Sequence, residues 1–161
     1  MALTVEDGTG VAGADSYVSA AAFQTWATDR GYSIPTTLAD LEPLLRKGCD
    51  FIERKRFLGE IEFADQGLSF PRLITDEEGT AVSTGIPAKL KTAQMLLALE
   101  SMNGPLTAAA RANKYLATKI DQIYLKYADS YKGSGDISFP AIDDLLEEWE
   151  YYTSTIRTVR A

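Results

Sequence analysis

Most side-chain chemistry near neutral pH draws on histidine, and this chain of 161 residues has none. That excludes catalytic triads and acid–base schemes built on imidazole, and zinc sites that need a His ligand. The single Cys49 can supply neither a thiolate cage nor an internal disulfide, and it lies on an apolar helix stripe, where a small buried hydrophobe is expected. The remaining candidates are carboxylates, glycines and cations. Asp143, Asp144, Glu147, Glu148 and Glu150 cluster on one helix face without EF-hand spacing, which reads as a solvated face. Asp76-Glu77-Glu78-Gly79 is ordinary turn chemistry. Gly8-Thr9-Gly10-Val11-Ala12-Gly13 imitates a dinucleotide fingerprint, but no apolar strand precedes it. No spacing selects a carboxylate pair for glycoside chemistry. No catalytic residue, cofactor or metal is expected.

Arg54-Lys55-Arg56-Phe57 is the strongest basic run, and cations beside an aromatic can grip phosphate and stack a base. Three charges neutralise few phosphates, so a helix end whose cations complement its dipole is the simpler reading. Lys114, Lys119, Lys126 and Lys132 among Tyr115, Tyr124, Tyr127 and Tyr131 form a second, sparser candidate for a nucleic-acid groove. The formal net charge of −7 opposes coating nucleic acid by bulk charge. It is unevenly spread: residues 1–85 hold 7 basic and 14 acidic residues, 86–134 hold 7 and 3, and 135–161 hold 2 and 6. A mildly basic middle between acidic flanks suits complementary contacts between copies in an assembly.

These side chains need elements to position them. A length of 161 residues with 45% hydrophobic content suits one globular unit, here residues 1–150, followed by an arm over 151–161. Ala14 to Val18 is extended, and Ser19 caps a short helix carrying Phe23 and Trp26 that stops at Gly31. Asp40 is the expected cap of the next helix, with Pro43 in its first turn and Leu41, Leu44, Leu45, Gly48, Cys49 and Ile52 on one stripe. Residues 59–85 predict a loop and a small β-ribbon, with Gln66, Leu68 and Phe70 alternating. Ile86-Pro87 opens a helix that is apolar almost all round and therefore central, ending at Asn103-Gly104-Pro105, with a short helix expected over 105–113. Residues 118–127 are expected as a strand, and Phe139-Pro140 leads into a last helix with Ile142, Leu145, Leu146 and Trp149 inward. The fold class is mainly α: a helical bundle around a central apolar helix, with a small β-ribbon and a C-terminal arm. Met1 to Ala14 has no export signal, and the longest apolar run, Met95 to Leu99, is far short of a membrane span of about 20 residues. A soluble, intracellular origin is expected.

Several stretches together resemble the head–tail adaptor proteins of tailed bacteriophages, many of which are labelled DnaT-like single-stranded-DNA-binding proteins. They are Ala14-Asp15-Ser16-Tyr17-Val18, Leu44 to Ile52, Phe57-Leu58-Gly59, Gln66, Leu68-Ser69-Phe70-Pro71-Arg72, Gly79, Ile86-Pro87, Leu90-Lys91, Ala93-Gln94, Phe139 to Asp143 and Leu145-Leu146. Phe70 stands where the family often has Trp, Gly48 where a helix former is usual, and the arm after Trp149 is longer than expected. The resemblance implies a structural head-completion subunit made in the host bacterial cytoplasm. Twelve copies would form a ring under the portal protein in the virion neck, extending the DNA channel and docking a tail or neck completion protein, with DNA passing unbound and no membrane involved. Portal binding is then expected from the arm, at Tyr151, Tyr152, Ile156, Arg157, Val159 and Arg160. Contacts to other subunits or neck proteins are expected from Phe70, Pro71, Arg72, Arg54 and Arg56. The alternative is a single-stranded-DNA-binding module.

Overall fold

Ser19, its backbone still in the β region, accepts the amide of Ala22 on its hydroxyl, which starts α1 over Ala20–Asp29. Gly31, at φ +72°, turns the chain out of it. In this computed structural model the described residues are 2–75, 79–106, 117–120, 123–126 and 139–150. The second helix, α2, runs Leu38–Ile52 with Thr37 at its cap. The expected cap, Asp40, instead lies in the first turn, where its charge favours the helix N-terminus. Pro43 is consequently the sixth helical residue and leaves one carbonyl without its usual donor, a cost borne by the packing of Leu41, Leu45, Gly48, Cys49 and Ile52.

The ribbon is a three-stranded antiparallel sheet, β1 (Glu60–Ile61), β2 (Arg72–Thr75) and β3 (Ala81–Ser83), with β2 central. The Gln66-Leu68-Phe70 alternation is not a strand. The Gln66 amide folds this segment back on itself, accepting from the Phe63 N–H and donating to the Leu68 and Pro71 carbonyls. Gly59, at φ +75°, begins the sheet where a Cβ would sit 2.1 Å from the Leu73 carbonyl oxygen, so no other residue fits. Of the expected acidic turn, residues 76–78 lie outside the described residues.

Helix α3, Ala88–Asn103, follows Pro87 and is the buried centre anticipated from its apolar circumference, burying Leu90, Ala93, Gln94, Met95, Leu97, Ala98 and Ser101. It packs chiefly on α2. Gly48 makes their closest approach possible, because a Cβ there would lie 2.8 Å from the Gln94 carbonyl oxygen. The helix expected after Pro105 falls mostly outside the described residues. Where one strand was expected over 118–127 there are two, β4 (Ala117–Ile120) and β5 (Ile123–Lys126), paired antiparallel with Ile120 opposite Ile123. The last helix, α4, covers Pro140–Leu146 and tightens into a 3-10 turn at Glu147–Trp149. The fold is therefore more mixed than the mainly helical expectation: four helices and a small sheet among the described residues, with a separate hairpin. Phe23, Leu41, Leu45, Ile52, Phe70, Leu90, Leu97 and Leu146 fill the shared core.

Candidate functional site

Polar side chains from the N-terminal segment, α2, α3 and the start of β2 bond to one another and to backbone, buried at Ser16, Tyr17 and Gln94 and partly exposed at Asp15, Arg46 and Arg72. Asp15 accepts the Thr4 N–H and the Arg46 guanidinium, at 2.8 and 2.6 Å, fastening the N-terminal segment to α2. Gln94 is fully buried on α3. Its amide donates to Ser16 Oγ and the Leu45 carbonyl at 2.8 and 2.9 Å, and its oxygen accepts the Tyr17 N–H at 3.0 Å. One side chain thus joins the N-terminal segment, α2 and α3. The Tyr17 hydroxyl donates to Glu53 at 2.5 Å and accepts the Phe70 N–H, while the second Glu53 oxygen takes the N–H and hydroxyl of Ser69. Burial pushes the Tyr17 hydroxyl well above its ordinary range, and the Glu53 charge pushes it further. Tyr17 therefore stays a proton donor.

Arg72 continues the network by donating to four backbone carbonyls, those of Phe57, Leu58, Gly59 and Ser69. Phe70 and Pro71, joined by a cis peptide bond, are fully buried; the Phe70 ring packs against Tyr17, Phe57 and Trp149. The glycine loop that imitates a dinucleotide fingerprint encloses an anion of its own. The buried Glu6 carboxylate accepts the N–H groups of Gly8, Gly10 and Val11 at 2.7–3.0 Å, occupying the cradle a phosphate would need. The acidic face of α4 is not wholly solvated either. Lys55 donates to Asp143 at 2.7 Å and Glu150 at 2.5 Å, clamping the end of α2 to α4. Burial alone would lower the Lys55 pKa, but these two carboxylates outweigh it and hold the ammonium above its ordinary range.

The expected contact residues therefore separate. Phe70 and Pro71 are interior, and the Arg72 donors are engaged by backbone, so these three support the fold from within. Arg54 and Arg56 are exposed, on either side of the inward Lys55. Arg54, with Lys47, Phe51 and Leu106, lines a cleft of about 360 Å³ between the ends of α2 and α3. Tyr151, Tyr152, Ile156, Arg157, Val159 and Arg160 lie outside the described residues, as do Lys114, Tyr115, Tyr127, Tyr131 and Lys132. In the hairpin, Lys119 stands opposite Tyr124 and Lys126 opposite Ala117. Among the described residues no three Asp, Glu or Cys side chains gather as a metal site, and no helix is long and apolar enough to cross a membrane.

Sequence reasoning did not single out Glu6 or Glu53. A glutamate just before a glycine loop and another at a helix end look solvent-facing, and only the folded chain shows their N–H and O–H partners. Fold and network together define a mixed helical domain whose distinctive polar residues stitch its segments to one another. The chain belongs to the family described as "Putative DnaT-like ssDNA binding protein", whose model matches residues 1–161. No curated protein and no solved structure matches it.

Proposed function

We propose that the chain is a head-to-tail adaptor: a structural subunit that forms a ring beneath a phage portal, lengthens the DNA channel and docks the next neck or tail protein. One observation carries this reading. The polar residues on which the resemblance rests, Asp15, Ser16, Tyr17, Gln94 and Arg72, all bond within the chain, Ser16, Tyr17 and Gln94 at buried positions, while the sheet exposes the apolar side chains of Ile61 and Val82 on one face. That is the composition of a surface that meets protein, whereas single-stranded DNA needs a cationic groove with free aromatic faces. The exposed Tyr32 stacks one face of its ring on Trp26 at 5.5 Å, and the single cation Arg30 lies over Trp26, too little charge for such a groove. An acidic subunit around a channel repels phosphate and lets a duplex slide.

The test is electron cryo-microscopy of the neck in particles assembled with the tagged chain, alongside oligonucleotide titration of the purified protein. A ring of tagged density under the portal with negligible DNA binding at physiological salt is expected. Deleting residues 151–161 is expected to leave helix content intact and to abolish portal attachment. Sub-micromolar binding of short single strands, lost on replacing Lys114 and Lys126, would instead establish the DNA-binding reading that the family description carries.

A further inference from the structure

Two dipeptides in the chain, Asp7-Gly8 and Asn103-Gly104, have the composition in which a side-chain carbonyl is most open to attack by the next backbone nitrogen, because glycine puts no side chain in the way. Such an attack closes a five-membered imide. It needs an electrophilic side-chain carbonyl, a glycine N–H that is not already donating, and a backbone free to swing that nitrogen onto the carbonyl carbon. The fold treats the two dipeptides in opposite ways.

At Asp7-Gly8 all three are withheld. The Gly8 N–H donates to Glu6 at 2.9 Å, inside the cradle around that carboxylate. Asp7 Oδ1 accepts the hydroxyl and the N–H of Thr9 at 2.6 and 3.1 Å, and these bonds, the hydroxyl's first, hold the Asp7 carboxyl below its ordinary range. An ionised carboxylate is a poor electrophile. The Gly10 and Val11 amides bind the same Glu6 and fix the loop.

At Asn103-Gly104 all three are supplied. Asn103 is the last residue of α3 and is exposed, and its neutral amide carbonyl remains electrophilic across the physiological range. The Gly104 N–H has no acceptor among the described residues, and Pro105 has no N–H with which to hold the next peptide. The helical ladder therefore ends before the nucleophile, so rotation about the Asn103 Cα–C bond breaks no hydrogen bond.

We infer that Asn103 is a site of spontaneous covalent modification, converting to aspartate and isoaspartate through an imide closed by the Gly104 nitrogen. That nitrogen gives its proton to hydroxide and bonds to Asn103 Cγ, while the bond from Cγ to the side-chain nitrogen breaks and ammonia leaves with a proton from water. Water then adds to either imide carbonyl. Opening on one side restores the ordinary backbone with an aspartate side chain; opening on the other routes the backbone through the side chain and lengthens it by one methylene. Both products place a new carboxylate at the negative end of α3, where the helix dipole disfavours it. It immediately precedes Gly104, Pro105 and Leu106 of the cleft that Lys47 and Arg54 also line.

The experiment keeps the full chain folded at mildly alkaline pH in heavy-oxygen water for some days, with circular dichroism confirming the fold. Peptides are then separated by chromatography and weighed. The tryptic peptide of residues 92–111 is expected to yield two products, each with the amide lost and one heavy oxygen gained, while the peptide holding Asp7 shows no isoaspartate. In urea, isoaspartate is expected at both dipeptides. Gly104→Ala, whose Cβ meets nothing within 4 Å, is expected to keep the fold and lose the conversion at Asn103. An Asn103 that stays an amide in the folded chain but converts in urea would overturn the inference. So would a folded Gly104→Ala protein that converts as fast as the unaltered chain, or an Asp7 that isomerises in the folded chain as fast as Asn103 converts.

Discussion

Replacing Gln94 by Leu tests whether the network between the N-terminal segment, α2 and α3 holds the fold together. The two side chains are close in size, so the change removes polar partners with little loss of packing. The Tyr17 N–H loses its acceptor and has no other, which costs about 1–3 kcal/mol for an unsatisfied buried donor. The other two partners lose less. Ser16 Oγ keeps both its bonds to Val18, and the Leu45 carbonyl lies within α2, so each forfeits about 0.5–1 kcal/mol. The sum is about 3 kcal/mol, which lowers the midpoint of thermal unfolding by roughly 6–12 °C for a chain of this length. Gln94→Glu is the informative companion. It keeps an acceptor for Tyr17 but loses both donations and places a charge at a fully buried position, so it is expected to cost more than Leu. Urea unfolding followed by circular dichroism, with an unchanged dependence on denaturant, measures both. A Gln94→Leu protein within about 1 kcal/mol of the unaltered chain would refute the reasoning, because the Tyr17 amide would then have to be satisfied by some other group.

Gly48→Ala gains about 1 kcal/mol of helix propensity but drives a methyl to 2.8 Å from a backbone oxygen that cannot swing aside, so a net loss of about 1–2 kcal/mol is expected in the same urea assay. Cys49 is buried and its thiol is pushed up by burial first and by Glu53 second. Its labelling by an aromatic disulfide should therefore be absent in buffer and complete in urea. Alkaline pH should destabilise the fold from about pH 10 upward. The raised Lys55 pKa contributes stability that is fully present below the unfolded value of 10.5 and lost as pH rises through the folded value. The Tyr17 hydroxyl acts in the same direction, since above its unfolded value of 10.0 the unfolded chain ionises and the folded one does not. Lys55→Met should lower stability at neutral pH, where it leaves Asp143 and Glu150 without their shared cation, and should flatten the alkaline decline in urea midpoints.

The sequence by itself determined the elements whose causes are local. Ser19 caps α1 because a hydroxyl three residues before a free N–H needs no distant partner, and Gly31 ends that helix because it accepts a positive φ. The apolar circumference of α3 announced a central helix, since such a surface has to be covered on every side. What local reasoning misplaced was settled by distant groups. Gln66, Leu68 and Phe70 alternate like a strand, yet the Gln66 amide closes a loop with the Pro71 carbonyl and the Phe70 ring sinks between Tyr17, Phe57 and Trp149. Phe70-Pro71-Arg72 looked like an exposed contact motif, and only the tertiary structure places Phe70 and Pro71 inside the core with four carbonyls around Arg72. The carboxylates at Glu6, Glu53, Asp143 and Glu150 gain their partners from residues up to 95 positions away. Glu6 meets its partners within five residues, but no short window along the chain contains those of Glu53, Asp143 and Glu150. Spacing reveals which face a side chain takes; which donor it meets is decided when separate segments pack together.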